Sequence, residues 1–486
     1  MNALSAPAAD LPRTKTSARE TAVFWAVGVS ACCAVFYLHW RVILGHFYLG
    51  AHFLDAGWFA HLFQIGDPRL PMPKVLKAGS FYQIHLSPYL YLIGAPLHRF
   101  AGLDGVRIFA LHQGFFFALF LASLLLLADL AKTARAIAFI GAASIGGLST
   151  LLLNAALFPH FEIALLALLA FAVASWLRGW RLTFAVTLAA LLLVREDGGL
   201  YAAAACLTLD AISFRSANSA TLALLGALAV GGLLAAIGEQ TLQRHMFPDT
   251  SIFVSEIAGD DLGRLTLAVL GQRVLTVLSE PNLLVIVAST VLLARFDLRY
   301  AAGLVAIAPL LAVFLISPRE VLWKFQLYYG LPWLSACVGW TAVFALRAAQ
   351  ARPSRGEVAT FLISALVLMA PLQAAIDLDV GWPDFVADVS APQTGLEAER
   401  DFALAQAAKA RAANKGRVCA SMGVVSLAAD EFAPRELVYP RFDLSDCAAV
   451  LLTAGEVDYD RMAKHAADFG FRRTEAFANV EIWARQ

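Results

Sequence analysis

The sequence predicts an all-α polytopic membrane protein with a small soluble α/β domain at its C-terminus. Hydrophobic residues make up 59% of the 486 residues and charged residues only 15%, against about 25% in ordinary soluble domains. Apolar runs recur as far as Asp379, and the chain becomes more polar beyond it. One soluble core cannot bury so much apolar surface, so lipid must cover much of it.

The apolar runs define about eleven spans, because a helix needs about 20 mainly apolar residues to cross the hydrocarbon. They are Thr21–Tyr37, Val106–Ala128, Ala136–Leu157, Ile163–Leu177, Leu182–Val194, Gly198–Ile212, Thr221–Ile237, Asn282–Ala294, Ala301–Ile316, Leu327–Leu346 and Val358–Ile376. The fifth, sixth and eighth runs are short, which is typical of tilted, kinked or re-entrant helices. The first run lacks the short core and clear cleavage site of a signal peptide.

Basic residues predict the orientation, because cytoplasmic loops carry an excess of Lys and Arg. Every predicted inner loop is basic, such as the one that holds Arg178 and Arg181. Arg319 and Lys324 fall in a short outer loop and do not fit this rule. We expect a protein of the bacterial inner membrane with a cytoplasmic N-terminus and a periplasmic C-terminal domain.

Three parts are expected along the chain. Residues 1–20 form a cytoplasmic tail, residues 21–380 a transmembrane domain with a long outer loop at 41–105, and residues 395–486 the periplasmic α/β domain. In that domain we expect helices at Ala398–Ala413 and Asp458–Phe469, strands at Arg417–Ser421 and Ala448–Leu452, and a strand or hairpin at Glu475–Ala484. Cys419 and Cys447 could pair there if it is periplasmic, which the sequence alone leaves open.

Charge and motifs exclude several function classes. The 37 basic and 37 acidic residues balance, so no basic field indicates a nucleic-acid partner. The sequence contains no Walker A loop, dinucleotide fingerprint, zinc-protease helix or nucleophile elbow. This argues against an ATP-driven pump.

Ionisable residues near the predicted outer surface form four clusters. Placing an ionisable side chain near lipid costs free energy, so such residues are expected to have a function. Asp55 lies between aromatic residues, where a carboxylate can act as a general base or metal ligand, or can simply cap a helix. His85 precedes a Ser-Pro turn and can shuttle protons, ligate a metal or be a hydrogen-bonded structural residue.

The other two clusters interrupt apolar runs. His160 and Glu162 follow Pro159, and either face one cavity or form a polar turn. The run Arg195-Glu196-Asp197 must pair, face water or line a cavity. Its guanidinium can grip a phosphate bidentately while the acids orient it or hold a cation. An internal structural salt bridge is the alternative.

Three further residues are weaker candidates for a phosphate headgroup or a sugar ring. Lys324 and Tyr328 lie together near the predicted outer interface, and Arg244 lies in the second long outer loop. Each suits a plain lipid-headgroup anchor equally well.

The four clusters, in this order, resemble an uncharacterised prokaryotic membrane family, the domain of unknown function 2079. The matching stretches are Phe53-Leu-Asp55-Ala-Gly57-Trp58, His85-Leu-Ser87-Pro88, His160-Phe-Glu162 and Val194-Arg195-Glu196-Asp197-Gly198-Gly199-Leu200, with Val418-Cys-Ala-Ser421 to Arg435-Glu-Leu-Val-Tyr439 in the soluble tail. The resemblance covers most of the chain, from about residue 45 to the end. Family members often carry a histidine beside a tyrosine near the penultimate span, where this chain has Gln326-Leu327-Tyr328-Tyr329.

That family is similar in layout to the C-type glycosyltransferase superfamily. The resemblance implies a polyprenyl-phosphate-linked sugar donor, membrane lipid around the site, and a glycan, lipid or protein acceptor. It implies that Asp55 is the catalytic acid or base. We expect His85 and Glu162 to assist catalysis by orienting the donor or acceptor or by ligating a divalent ion. Substrate-binding roles are expected for Arg195, Glu196, Asp197, His160, Lys324, Tyr328 and Arg244. The cofactor is left open, with a divalent cation such as Mg²⁺ or Mn²⁺ as one option.

Two other function classes compete with the enzyme. A transporter or lipid flippase would line a path through the bilayer with charged groups, whereas the conspicuous carboxylates and histidines fall on one predicted side. No clear inverted repeat of interrupted helices is visible, which also argues against a transporter. A non-catalytic cell-envelope assembly protein would tolerate substitution of its outer acids.

Overall fold

A computed structural model describes most of the chain. The described residues are 18–49, 59–60, 62–63, 85–214, 217–246, 266–317, 320–323, 327–350, 353–369, 382–390, 396–414, 417–427, 443–454, 456 and 459–485.

The described residues before position 370 form helices joined by turns. The α-helices are α1 (Ala18–Leu49), α2 (Pro88–Ala101), α3 (Gly105–Ala128), α4 (Arg135–Leu148), α5 (Thr150–Leu157), α6 (Ile163–Leu177), α7 (Arg181–Val194), α8 (Gly198–Ser213), α9 (Ser219–Met246), α10 (Leu267–Ser279), α11 (Pro281–Ala294), α12 (Ala302–Ile316), α13 (Glu320–Trp323), α14 (Leu334–Gln350) and α15 (Arg355–Val367). Short 3-10 helices cover Asp129–Ala134, Leu298–Ala301 and Leu327–Trp333.

Five stretches within the described residues are long and apolar enough to cross a membrane, or up to six if one bent pair forms a single span. They are Ala18–Gly45, Gly105–Leu157, Ser219–Gln243, Leu298–Ile316 and Tyr328–Gln350. Helices α6, α7 and α8 are apolar but shorter. The predicted integral membrane protein is therefore confirmed, whereas the predicted number of spans stays a prediction.

Two helix breaks occur in this region, one inside a predicted span and one beside the eighth predicted span, whose shortness predicts a tilted, kinked or re-entrant helix. The predicted span Ala136–Leu157 is divided at Ser149, which is extended at ψ 140°. Thr150 N–H donates to the carbonyl of Leu368 at 2.9 Å, and its hydroxyl donates to Asn282 Oδ1 at 3.0 Å. The second break separates α10, which ends at Ser279, from α11, which begins at Pro281, and these two helices meet at an angle of 86°. Pro281 opens α11, where its missing N–H is no loss.

The chain divides into two compact units. The first comprises Met1–Tyr37, Gly114–Ala155 and Glu162–Gly381, and the second comprises Leu38–Gln113, Ala156–Phe161 and Trp382–Gln486. The first unit holds α4 to α15 with the exception of the end of α5, and its core is largely aliphatic and aromatic around Trp340, Tyr300 and Phe344.

One end of the first unit is fastened by a buried ion-pair network. Glu357 of α15 is fully buried and accepts from Arg347 at 2.5 and 3.0 Å and from the Tyr300 hydroxyl at 2.7 Å. Arg347 also reaches Asp297 at 3.2 Å, and Asp297 pairs with Arg299 at 2.8 Å. These residues belong to the basic loops that the sequence assigns to the cytoplasmic side.

The C-terminal part forms the expected α/β domain. After α16 (Trp382–Ser390) and α17 (Leu396–Asn414) come β1 (Arg417–Ala420), α18 (Met422–Leu427), β2 (Cys447–Thr453), α19 (Tyr459–Asp468), β3 (Phe471–Phe477) and β4 (Val480–Arg485). The sheet order is β1-β2-β4-β3, with β1 parallel to β2 and the other pairs antiparallel. The predicted strand or hairpin at residues 475–484 is thus a hairpin.

Strand β2 is the centre of this domain and is buried along almost its whole length. Such a continuous apolar run is expected where helices cover both faces of a strand, and α17 and α19 both contact β2. Cys419 and Cys447 form a disulfide with their Cα atoms 5.7 Å apart, within the core around Val450 and Leu452. The predicted all-α membrane protein with a C-terminal α/β domain is confirmed.

Candidate functional site

The α6–α7 hairpin brings two predicted clusters together. The turn between these helices contains Gly179, whose positive φ of 78° suits a residue without a side chain. Because the helices run antiparallel, the start of α6 and the end of α7 lie at the same end, opposite Arg178 and Arg181. Glu162 immediately precedes α6, and Arg195 immediately follows α7.

Arg195 is held by two carboxylates. Its Nε donates to Asp197 Oδ1 at 2.7 Å, and its Nη2 donates to Asp197 Oδ2, which completes a bidentate pair. Its Nη1 donates to Glu162 Oε1. Arg195 is only 3% exposed, so its charge is neutralised inside the protein rather than by water.

Carboxylates outnumber cations in this acidic centre, which we define as Glu162, Arg195, Glu196 and Asp197. All four residues are at most 5% exposed, and Glu196 is fully buried. Glu239 of α9 lies close enough to interact electrostatically with Glu196 and Asp197. Burying negative charge is costly unless it is paired and hydrogen-bonded, so the contacts with Arg195 help to stabilise the carboxylates of this centre.

Glycines bring the neighbouring helices into backbone contact beside the acidic centre. A Cβ on Gly199 would overlap the backbone of Gly232, and a Cβ on Gly232 would lie 2.6 Å from the Gly199 carbonyl oxygen. Helices α8 and α9 can therefore approach each other only with glycine at both positions. A Cβ on Gly198 would overlap the Leu191 carbonyl. Gly198 and Gly199 are helical and serve close packing.

His85 and His160 lie together in the second unit, in a cluster of aromatic rings. The two imidazole centroids are 6.4 Å apart, and His160 meets the ring of Phe59 edge-on at 4.5 Å. His160 is 3% exposed, and its carbonyl accepts from Gln113 Nε2 at 2.8 Å. The histidines predicted from distant sequence clusters thus share one environment.

The same cluster contains polar residues that the sequence interpretation missed. The Tyr89 hydroxyl and His112 Nε2 are 2.7 Å apart, and both residues are buried. His112 and Gln113 interrupt the apolar helix α3. An ionisable residue inside a predicted span is itself a signal of function, and that signal was available for His112.

The structure describes only part of the remaining predicted site residues. Asp55 and Lys324 lie outside the described residues, as does the side chain of Arg244, whose backbone belongs to α9. Tyr328 is buried and donates to the hydroxyl of Tyr329 at 3.0 Å. Their predicted roles stay predictions. Among the residues that the structure describes, no group of three or more His, Cys, Asp or Glu side chains is arranged to hold a metal ion.

Comparison with known proteins gives limited similarity. No family model matches the chain, so the resemblance to the uncharacterised family stays a prediction. No curated protein matches it either. Among solved structures, ArnT from Cupriavidus metallidurans in the apo state is 13% identical and superposes with a TM-score of 0.48 over 96% of this chain and 98% of that chain.

A second structure, ArnT from Cupriavidus metallidurans bound to undecaprenyl phosphate, is 12% identical with a TM-score of 0.44 over the same shares of the two chains. Superpositions at this level do not establish a shared site or substrate. Any functional assignment depends on the residues of this chain.

Proposed function

We propose that the protein is a membrane glycosyltransferase that uses a polyprenyl-phosphate-linked sugar donor and transfers the sugar to an acceptor hydroxyl at the periplasmic face. The observation that carries the proposal is the acidic centre, where charged residues from two helix breaks converge at one end of the α6–α7 hairpin. Ionisable groups buried among apolar helices are expensive and are expected to be functional.

Two features support a periplasmic position for the acidic centre. The acidic centre lies at the opposite end of the α6–α7 hairpin from the basic turn of Arg178 and Arg181, and basic turns are expected in the cytoplasm. The disulfide between Cys419 and Cys447 favours an oxidising compartment for the C-terminal domain. Both support a periplasmic reaction.

The proposed reaction is a single displacement. Asp55 accepts the proton of the acceptor hydroxyl, whose oxygen attacks the anomeric carbon of the donor. The bond between that carbon and the phosphate oxygen breaks, polyprenyl phosphate leaves, and the sugar configuration inverts. Asp55 enters this scheme from the family resemblance.

The contacts of Arg195 indicate how the acidic centre would contribute. Since Asp197 occupies one edge of the guanidinium and Glu162 another, a phosphate could be gripped bidentately only by displacing a carboxylate. Carboxylate oxygens accept hydrogen bonds, so the centre suits the hydroxyl groups of a sugar better. Lys324 and Arg244 are then the proposed phosphate ligands.

The direct test is sugar transfer by the purified protein in nanodiscs, measured with a panel of labelled sugars linked to undecaprenyl phosphate. Asp55→Asn is expected to abolish transfer while insertion and melting are unchanged. Asp67→Asn, in the same predicted loop, is the matched control and should retain activity. Full activity of Asp55→Asn would remove Asp55 from the mechanism.

Sidedness has its own test in a chain whose four free cysteines, Cys32, Cys33, Cys206 and Cys337, are replaced by serine. A membrane-impermeant maleimide is expected to label Arg472→Cys in intact spheroplasts, and Arg355→Cys only after permeabilisation. Both positions are exposed. Labelling of the two variants from the same side would overturn the periplasmic assignment.

A further inference from the structure

A cavity of about 820 Å³ lies between the first turns of α1 and the region from Lys132 to Ile140. Two contacts show that α1 and α4 run in the same direction here. Near their first residues, Arg135 Nη1 donates to the Thr21 hydroxyl at 3.0 Å, and further along, Val35 lies 3.5 Å from the Cβ position of Gly147. The cavity consequently has a polar end where both helices begin and an apolar end further along.

The polar end is cationic. Arg19, Lys132 and Arg135 line it together with the hydroxyl-bearing Thr133 and one carboxylate, Glu20. The guanidinium of Arg135 is oriented by its pairing with Asp129 at 2.8 Å and lies 5.3 Å from the centre of the Phe24 ring.

Arg178 also pairs with Asp129, at 2.5 Å, so this acid is shared between two arginines. The single negative charge of Asp129 therefore does not neutralise the positive charge at the polar end of the cavity. A ligand with negative charge is favoured at this end.

The apolar wall opens toward lipid. Val23, Val27 and Ile140 line the cavity and are 55%, 50% and 47% exposed in the protein alone. They belong to helices that qualify as membrane spans, and in the 18-residue apolar window of the α1 span only 17% is buried within the protein. A ligand with an alkyl chain can therefore enter from the bilayer and lie along this wall.

We infer that this cavity binds one anionic phospholipid of the leaflet at which α1 begins. The phosphate lies at Arg19, Lys132 and Arg135, and an acyl chain lies along Val23, Val27 and Ile140. The lipid joins the start of α1 to α4, and its site is at the end of the first unit that carries the basic loops. The site does not depend on the proposed sugar transfer.

Native mass spectrometry of the full-length protein in mixed phosphatidylglycerol and phosphatidylcholine tests the inference. Wild-type protein is expected to retain one phosphatidylglycerol in preference to phosphatidylcholine. Removing two charges by Arg19→Gln with Lys132→Gln should lower retention about 30-fold, since each basic residue near a membrane surface contributes about 1 kcal/mol.

The control removes two exposed charges from the same predicted side, outside the cavity, by Arg295→Gln with Arg355→Gln. It should leave retention unchanged. Val27→Trp should reduce phosphatidylglycerol retention while all charges remain, which distinguishes a lipid from a free phosphate ion. Equal retention of the two lipids by wild-type protein, or equal loss in the cavity and control variants, would overturn the inference.

Discussion

Arg195 Nη1 donates to Glu162 Oε1, and this bond joins the residue after α7 to the residue before α6 across 33 positions of sequence. Asp197 fixes the other edge of the same guanidinium. The two helix breaks are thereby joined to each other inside the protein, since Glu162 and Arg195 are both buried.

Arg195→Ala should be strongly destabilising. It would leave Glu162, Glu196 and Asp197 buried without their guanidinium, and loss of one partner from a buried ion pair typically costs about 3–5 kcal/mol. The measurement is thermal unfolding of the protein in nanodiscs. Arg107→Ala is the control, because Arg107 is a half-exposed partner of Asp104 at 3.5 Å and should cost at most about 1 kcal/mol. Equal melting temperatures for the two variants would show that the buried ion pairs of Arg195 do not contribute to stability.

The disulfide predicts a specific labelling pattern. When the protein is denatured without reductant, a polyethylene glycol maleimide should modify four of its six cysteines, because Cys419 and Cys447 are bonded and the other four are free. Denaturation with reductant, which is then removed, should make all six reactive. Modification of six without reduction would contradict the disulfide.

The same bond should stabilise the C-terminal domain. It closes a loop across 28 positions, which corresponds to about 3–4 kcal/mol in the chain-entropy treatment of disulfides. Replacing both cysteines by alanine is expected to increase hydrogen exchange in β2 and β4 while the exchange of α14 is unchanged.

Glu399 should make the C-terminal domain sensitive to pH. Burial raises the pKa of this carboxyl from 4.5 to about 6, although a hydrogen bond from Asn479 opposes the shift. Since the folded pKa exceeds the unfolded one, the contribution of Glu399 to stability is complete below about pH 4.5 and is lost as the pH rises through about 6.

The measurement is hydrogen exchange of β4 between pH 4.5 and 7.5, corrected for the intrinsic rate. Protection should fall across this window in the wild-type protein and fall less in Glu399→Gln, which cannot ionise. Identical pH profiles for the two proteins would assign the effect to another group.

The sequence predicted the elements whose signals are local. The C-terminal strands are an example, since Arg417–Ser421 and Ala448–Leu452 were expected where β1 and β2 occur. Apolar composition likewise sufficed for the membrane helices. The break at Ser149 was missed because its cause is distant: Thr150 bonds to Leu368, 218 positions away.

The candidate site was predicted only in part for the same reason. The separate charged motifs of Glu162 and Arg195 were recognised, but their ion pair depends on the hairpin between them. His112 was missed although it interrupts an apolar helix, because its partner Tyr89 lies outside that helix. The local sequence left Asp55 a general base, a metal ligand or a helix cap, and the family resemblance chose among these roles.

The rate of sugar transfer by Glu162→Gln tests the central claim most directly. Glutamine keeps the shape of the side chain and can accept a hydrogen bond from Arg195, but it has no charge and cannot exchange a proton. If the acidic centre takes part in the reaction, transfer from the undecaprenyl-phosphate-linked sugar should fall at least about 100-fold while melting stays close to wild type and Asp104→Asn remains active. A wild-type rate in Glu162→Gln would contradict the assignment of the acidic centre as the site of sugar transfer.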